Sequence, residues 1–140
     1  MISSADRSPC PCCGHLVHEG PTGSSLVCPV CFWEDDVTQL RWPLLTGGAN
    51  KFSLVDSQRA YMTVRASEER FTNKVREPAV DEPVDEGFRP IDLAVDRFEE
   101  VAVQDEPWPE DRSVLYWWRP TFWRRSRGDA CRSGENRQGG

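Results

Sequence analysis

Cys10-Pro11-Cys12-Cys13-Gly14 and Cys28-Pro29-Val30-Cys31, with fourteen residues between Cys13 and Cys28, are the stretches that decide the fold. Each contains a Cys-x-x-Cys pair that opens with Cys-Pro, so the whole reads C-x₂-C-x₁₄-C-x₂-C. A tight turn across x-x lets two sulfurs face one metal, and two such turns complete a tetrahedron. Cys10, Cys13, Cys28 and Cys31 are therefore the expected ligands of one structural Zn²⁺. Four thiolates close the coordination shell, which leaves no position for a reactive water.

Cys10 and Cys13 keep the two-residue spacing, and Gly14 follows where a positive φ costs glycine little. That leaves Cys12 at an x position as a small buried residue. Phe32 stands in the second cluster where Gly14 stands in the first, so the second turn is expected to differ. His15 and His18 lie nearby, but with four spaced thiolates at hand their reading is strand or surface rather than ligand.

Between the clusters, His15-Leu16-Val17 and Ser25-Leu26-Val27 read as short strands, and Gly20-Pro21-Thr22-Gly23 as the turn joining them. Further on, Ser53 is a good N-cap for a helix carrying Leu54, Tyr61 and Val64 on one face, with Ala60 beside them, which should cover the cysteine hairpin. Pro78, Pro83 and Pro90 among acidic residues mark an extended connection. Ile91, Val95, Phe98 and Val101 predict a short second helix. Val114-Leu115-Tyr116-Trp117-Trp118 predicts a strand, and residues 128-140 read as a disordered tail containing Cys131.

The expected fold is a small α+β one: a zinc-ribbon-like β-hairpin with two Cys knuckles, covered by a helix, with a mixed C-terminal extension. Its expected divisions are 8-66 for the cysteine domain, 67-106 for the acidic connection and short helix, 107-127 for an aromatic and basic segment, and 128-140 for the tail. A chain of 140 residues has room for one such domain with extensions.

The formal charge of -6 is unevenly spread. Residues 1-110 hold 10 Lys+Arg against 20 Asp+Glu, and residues 111-140 hold 7 against 3. An acidic body is a poor start for phosphate binding. No apolar run suits a signal peptide or a membrane span, so a soluble cytoplasmic protein is expected, with no membrane partner. Thiols stay reduced in that compartment, which favours metal over disulfides.

Cys10-Pro-Cys-Cys-Gly14, Cys28-Pro-Val-Cys-Phe-Trp-Glu-Asp-Asp36, Gly47-Gly-Ala-Asn50 and Ser53-Leu54 together closely resemble the bacterial cysteine-rich CPCC domain family, over roughly residues 8-66. The resemblance implies a small zinc-binding domain and brings no reaction or partner with it.

Three functional readings compete. The leading one is a structural zinc module that mediates contact with an as yet unknown protein partner through aromatic anchors. A second is nucleic-acid binding through Arg119, Arg124, Arg125 and Arg127 interleaved with Trp117, Trp118, Phe122 and Trp123; the acidic body ranks it lower. A third is an enzyme using the carboxylates of Glu34, Asp35 and Asp36, against which stands the simpler reading of a solvated acidic turn over a packed Trp33. No catalytic residue is assigned. The aromatic run at 114-125 is too large an apolar patch to stay in water, so it is expected to dock on its own acidic body or on a partner.

Overall fold

A computed structural model describes residues 6–124, which form two antiparallel strands, two helices and a cysteine cluster. Strand β1 (Ser8–Pro9) pairs with β2 (Leu16–His18), with Ser8 opposite His18 and Pro9 opposite Leu16. The partner of β2 is thus the residues just before the first cluster, and not the 25-27 stretch. Val27 instead bridges to Glu34. Each cluster is the tip of its own small loop, because the turn across Cys-x-x-Cys already reverses the chain and brings its two flanks together.

Helix α1 (Val37–Arg41), which the sequence reading did not foresee, is started by Asp36, whose carboxylate accepts from Thr38 N at 2.8 Å. Helix α2 (Leu54–Val64) starts, as expected, at Ser53, whose hydroxyl accepts from Asp56 N at 3.1 Å. It ends at Arg65 in the left-handed region at φ 65°, where the Arg65 amide donates to Tyr61 O at 3.0 Å. Leu54 and Tyr61 are buried and Val64 is half-buried, so the expected face is the one that packs.

Besides the strand at 25-27, two further expected elements are absent among the described residues. The stretch at 91-101 forms isolated turns and no helix, because Asp96 takes the amide of Asp92 at 2.7 Å and is held by Arg89 at 2.6 and 2.8 Å. Side-chain bonds of this kind compete with the helical ladder, and Leu93, Val95 and Val101 are left exposed. The stretch at 114-118 begins inside a 3₁₀ turn, Arg112–Leu115, with Asp111 accepting from Ser113 N at 3.0 Å. Its rings pack on one another instead of lining a sheet: Trp117 and Trp118 lie 4.7 Å apart edge to face, and Phe88 meets Trp118 at 4.8 Å.

Leu115, Tyr116, Trp117, Trp118 and Phe122 share one core with the cysteines, Trp33, Leu40, Leu54 and Tyr61. The aromatic segment therefore docks within the chain. Its polar atoms are satisfied as well: Trp117 Nε1 donates to Arg89 O at 3.0 Å, Trp118 Nε1 to Asp85 Oδ2 at 2.7 Å, and Tyr116 OH to Pro9 O at 3.3 Å. The expected tail at 128-140, with Cys131, lies outside the described residues, as do Arg125 and Arg127.

Candidate metal centre

The two knuckles share one backbone. In the first, Gly14 N donates to Cys10 O at 2.7 Å and Cys10 N to His15 O at 2.9 Å. In the second, Phe32 N donates to Cys28 O at 2.8 Å and Cys28 N to Trp33 O at 2.9 Å. Gly14 sits at φ 84° and Phe32 at φ 73°, so the expectation of a different second turn is overturned. Phe32 adopts a conformation that strains a side chain, and its ring packs on Phe71 with centroids 4.5 Å apart. Gly14 is constrained for a second reason, since a Cβ there would come within 2.4 Å of the Phe88 ring.

The knuckles face each other across a sulfur cluster. Sγ of Cys10 lies 3.5 Å from that of Cys31, and Sγ of Cys13 lies 3.8 Å from that of Cys28. All four sulfurs fall within 4.8 Å of one another, and all four residues are buried. A tetrahedron with metal–sulfur bonds of about 2.3 Å has edges of about 3.8 Å, so a single ion fits the donor set. Four buried cysteines are positioned to bind a metal ion.

Surrounding backbone fixes this geometry. Gln58 of α2 donates to Pro11 O at 2.9 Å, Ser67 N to Cys31 O at 2.7 Å, and Arg76 N to Pro29 O at 3.2 Å. Val30 N lies 3.3 Å from the Cys28 sulfur. Burial pushes the thiols of Cys10, Cys13 and Cys31 well up. Burial opposes ionisation of Cys28 too, but hydrogen bonds from the other three thiols win and hold its pKa well down. Ionisation of all four buried thiols calls for a positive ion at the centre of the cluster.

Cys12 is buried outside this group of four, and His15 and His18 also stand apart. His15 Nδ1 engages Glu82 O at 2.7 Å. His18 is buried in β2.

A family profile described as Cysteine-rich CPCC matches residues 8–82. The chain belongs to the cysteine-rich CPCC family. Its match runs past the second cluster and α2 to the turn that ends at Glu82, further than the motifs at 8-66 suggest. No curated protein matches the chain.

Within the CPCC region, the Trp33-Glu34-Asp35-Asp36 and Gly47-Gly48-Ala49-Asn50 motifs turn out to be halves of one polar scaffold. Asp35 Oδ2 accepts from Gly23 N, Ser24 N and Ser24 Oγ at 3.1, 2.9 and 3.0 Å. Asp36, besides capping α1, accepts from Ala49 N at 2.9 Å. Asn50 spans the backbone of Glu34, accepting from its N–H and donating to its carbonyl, both at 2.9 Å. Gln39 ties the same loop down through Leu45 O and Phe52 O, each at 3.0 Å. A Cβ at Gly48 would come within 2.8 Å of Asp36 Oδ2 and 2.9 Å of the Gln39 amide carbon. Gln39 and Gln58, and the role of Asn50 within its motif, escaped the sequence reading, because an amide's role depends on which distant carbonyls it reaches.

Among the described residues of the C-terminal segment, Arg119 and Arg124 are engaged internally. Arg119 Nε donates to Asp85 Oδ2 at 3.0 Å, and Arg124 pairs with Asp105 at 3.7 Å. No helix among the described residues is long and apolar enough to cross a membrane.

Proposed function

We propose that the protein is a structural zinc module: Cys10, Cys13, Cys28 and Cys31 hold one Zn²⁺, and the zinc-ribbon-like scaffold presents a surface for protein contact. The observation that carries this reading is the convergence of four buried sulfurs, and no other donor type, at tetrahedral spacing. Soft sulfur donors in a tetrahedron suit zinc, and a closed shell offers structure rather than a bound reactive water. In a domain this small, binding free energy is folding free energy.

The two competing readings lose support. An enzyme built on Glu34, Asp35 and Asp36 would need carboxylates grouped and free to meet a substrate, and two of the three, Asp35 and Asp36, are bonded to loop backbone. Base stacking would need accessible rings, whereas Trp117, Trp118 and Phe122 lie in the core.

Metal analysis of purified protein tests the proposal. One zinc per chain is expected, lost on replacing Cys10, Cys13, Cys28 or Cys31 with Ser and retained in Cys12→Ser. Stoichiometric iron, visible as thiolate-to-iron absorption where zinc is colourless, would replace the zinc assignment.

A further inference from the structure

The first knuckle is closed from outside by the short segment that follows Glu82. Leu16 N donates to Pro83 O at 2.9 Å, His15 bridges to Val84, and Asp85 N donates to Gly14 O at 2.8 Å, so residues 83-85 run alongside 14-16. Gly14 is the residue whose N–H, bonded to Cys10 O at 2.7 Å, completes the turn that carries Cys10 and Cys13. The backbone of Asp85 thus grips the knuckle, while its carboxylate grips the aromatic segment: Asp85 Oδ2 accepts from Trp118 Nε1 at 2.7 Å and from Arg119 Nε at 3.0 Å. Phe88, whose N–H donates to Asp85 O at 3.0 Å, repeats the bridge with apolar contacts. Its ring fills the space over Gly14 where a Cβ would sit, and it meets Trp118 edge to face at 4.8 Å. Asp85, Phe88 and the aromatic segment all lie beyond residues 8–82 of the family match. The second knuckle is held from within that region, by Ser67 N on Cys31 O and Arg76 N on Pro29 O.

We propose that Asp85 is a positioning residue for the metal centre: it latches the first knuckle to the C-terminal aromatic segment, so that Cys10 and Cys13 give up their ion only when Trp118 and Arg119 part from Asp85. This role rests on the metal reading above, though not on the ion being zinc. The four cysteines are each 4% exposed or less, so a chelator reaches the sulfurs only after one knuckle swings open. Such local openings are governed by the contacts broken in them and not by global stability. Opening at Gly14 breaks the bond from Asp85 N, lifts the Phe88 ring and pulls the carboxylate from its two donors. Trp118 is 7% exposed and the Asp85 side chain 15%, so these charge-assisted bonds are little weakened by solvent. The coupling acts in both directions, and filling the cysteine site should also fasten residues 116-119.

Transfer of the ion from the full chain to a chromophoric chelator is the test, with metal content measured first and amide hydrogen exchange followed on the same samples. Asp85→Ala keeps the backbone bond to Gly14 O and removes the acceptor of both donors. Release should speed up at least about tenfold, the order expected when charge-assisted bonds are lost from the closed state alone. Trp118→Phe, which deletes the Nε1 donor, should also speed release, and the double variant should add little to Asp85→Ala. Asp85→Asn keeps an acceptor oxygen without the charge and should fall between Asp85→Ala and wild type. Glu99→Gln weakens the Arg41 end of the same C-terminal half and should leave the release rate within about twofold of wild type. Exchange in Asp85→Ala should rise together at 10-16 and 116-119. An unchanged release rate in Asp85→Ala, additive effects in the double variant, or equal acceleration by Glu99→Gln overturns the proposal, the last because global unfolding would then set the rate. Should Asp85→Ala misfold, Asp85→Asn and Trp118→Phe carry the test. A chain that takes up no metal sinks the metal reading instead, and exchange then decides the latch: a joint rise at 10-16 and 116-119 supports it, and unchanged exchange at 10-16 overturns it.

Discussion

Arg41 and Glu99, 58 residues apart, form an ion pair whose two side chains are fully buried, with Arg41 Nη2 donating to Glu99 Oε2 at 2.7 Å. The guanidinium sits among three indoles, its Cζ 5.0 Å from the Trp42 ring, 4.6 Å from Trp108 and 4.8 Å from Trp123. It also donates to Glu106 O at 2.7 Å. One cation from α1 thus gathers the irregular C-terminal half around itself by charge, hydrogen bonds and ring faces together.

The pair makes stability depend on acid. Hydrogen bonds from Arg41, reinforced by the Asp105 backbone and opposed by burial, hold the Glu99 carboxyl at about 2, against an ordinary 4.5. A depressed carboxyl stabilises fully above the unfolded-state value and loses that contribution as pH falls toward the folded one. The window is therefore between about 4.5 and about 2, and the contribution is roughly 3 kcal/mol. Glu99→Gln should be less stable than wild type at pH 7 by that order, and the difference should shrink through this window. A constant difference in unfolding free energy across the window would refute the assignment. Comparing the variants at each pH cancels any loss of metal common to both.

The two knuckles make opposite demands at equivalent positions. Gly14→Ala should destabilise by about 1–3 kcal/mol, from strain at φ 84° and from the Phe88 ring that a Cβ would meet at 2.4 Å. Phe32→Gly relieves strain at φ 73° but removes the contact with Phe71, so its net effect should lie within about 1 kcal/mol of zero. Chemical denaturation of the metal-loaded variants measures both. Equal losses at the two sites would mean that the Phe71 contact outweighs the backbone strain at Phe32.

Deleting residues 107-140 removes two of the three indoles around Arg41 and the buried Tyr116, Trp117 and Trp118. The truncated chain should bind a dye such as ANS and unfold at lower denaturant, with zinc retained at the cysteines. A truncated chain as stable and as soluble as the full one would mean that these rings contribute nothing to the fold.

By itself the sequence determined whatever short spacing dictates. Cys-x-x-Cys repeated across fourteen residues marks the four sulfurs that converge, and Ser53 with the Leu54 and Tyr61 face marks α2, because both depend on residues within a turn or two of each other. Tertiary structure decided the rest. β2 pairs with Ser8–Pro9 rather than with 25-27, Asp35 and Asp36 serve as loop anchors, and the aromatic run folds inward without forming a strand. Each of those outcomes depends on a distant partner. Gly23 and Ser24 hold Asp35, Ala49 meets Asp36, and Asp85 and Arg89 receive the indoles, and local propensity carries no record of which remote group will satisfy a polar atom or cover a ring.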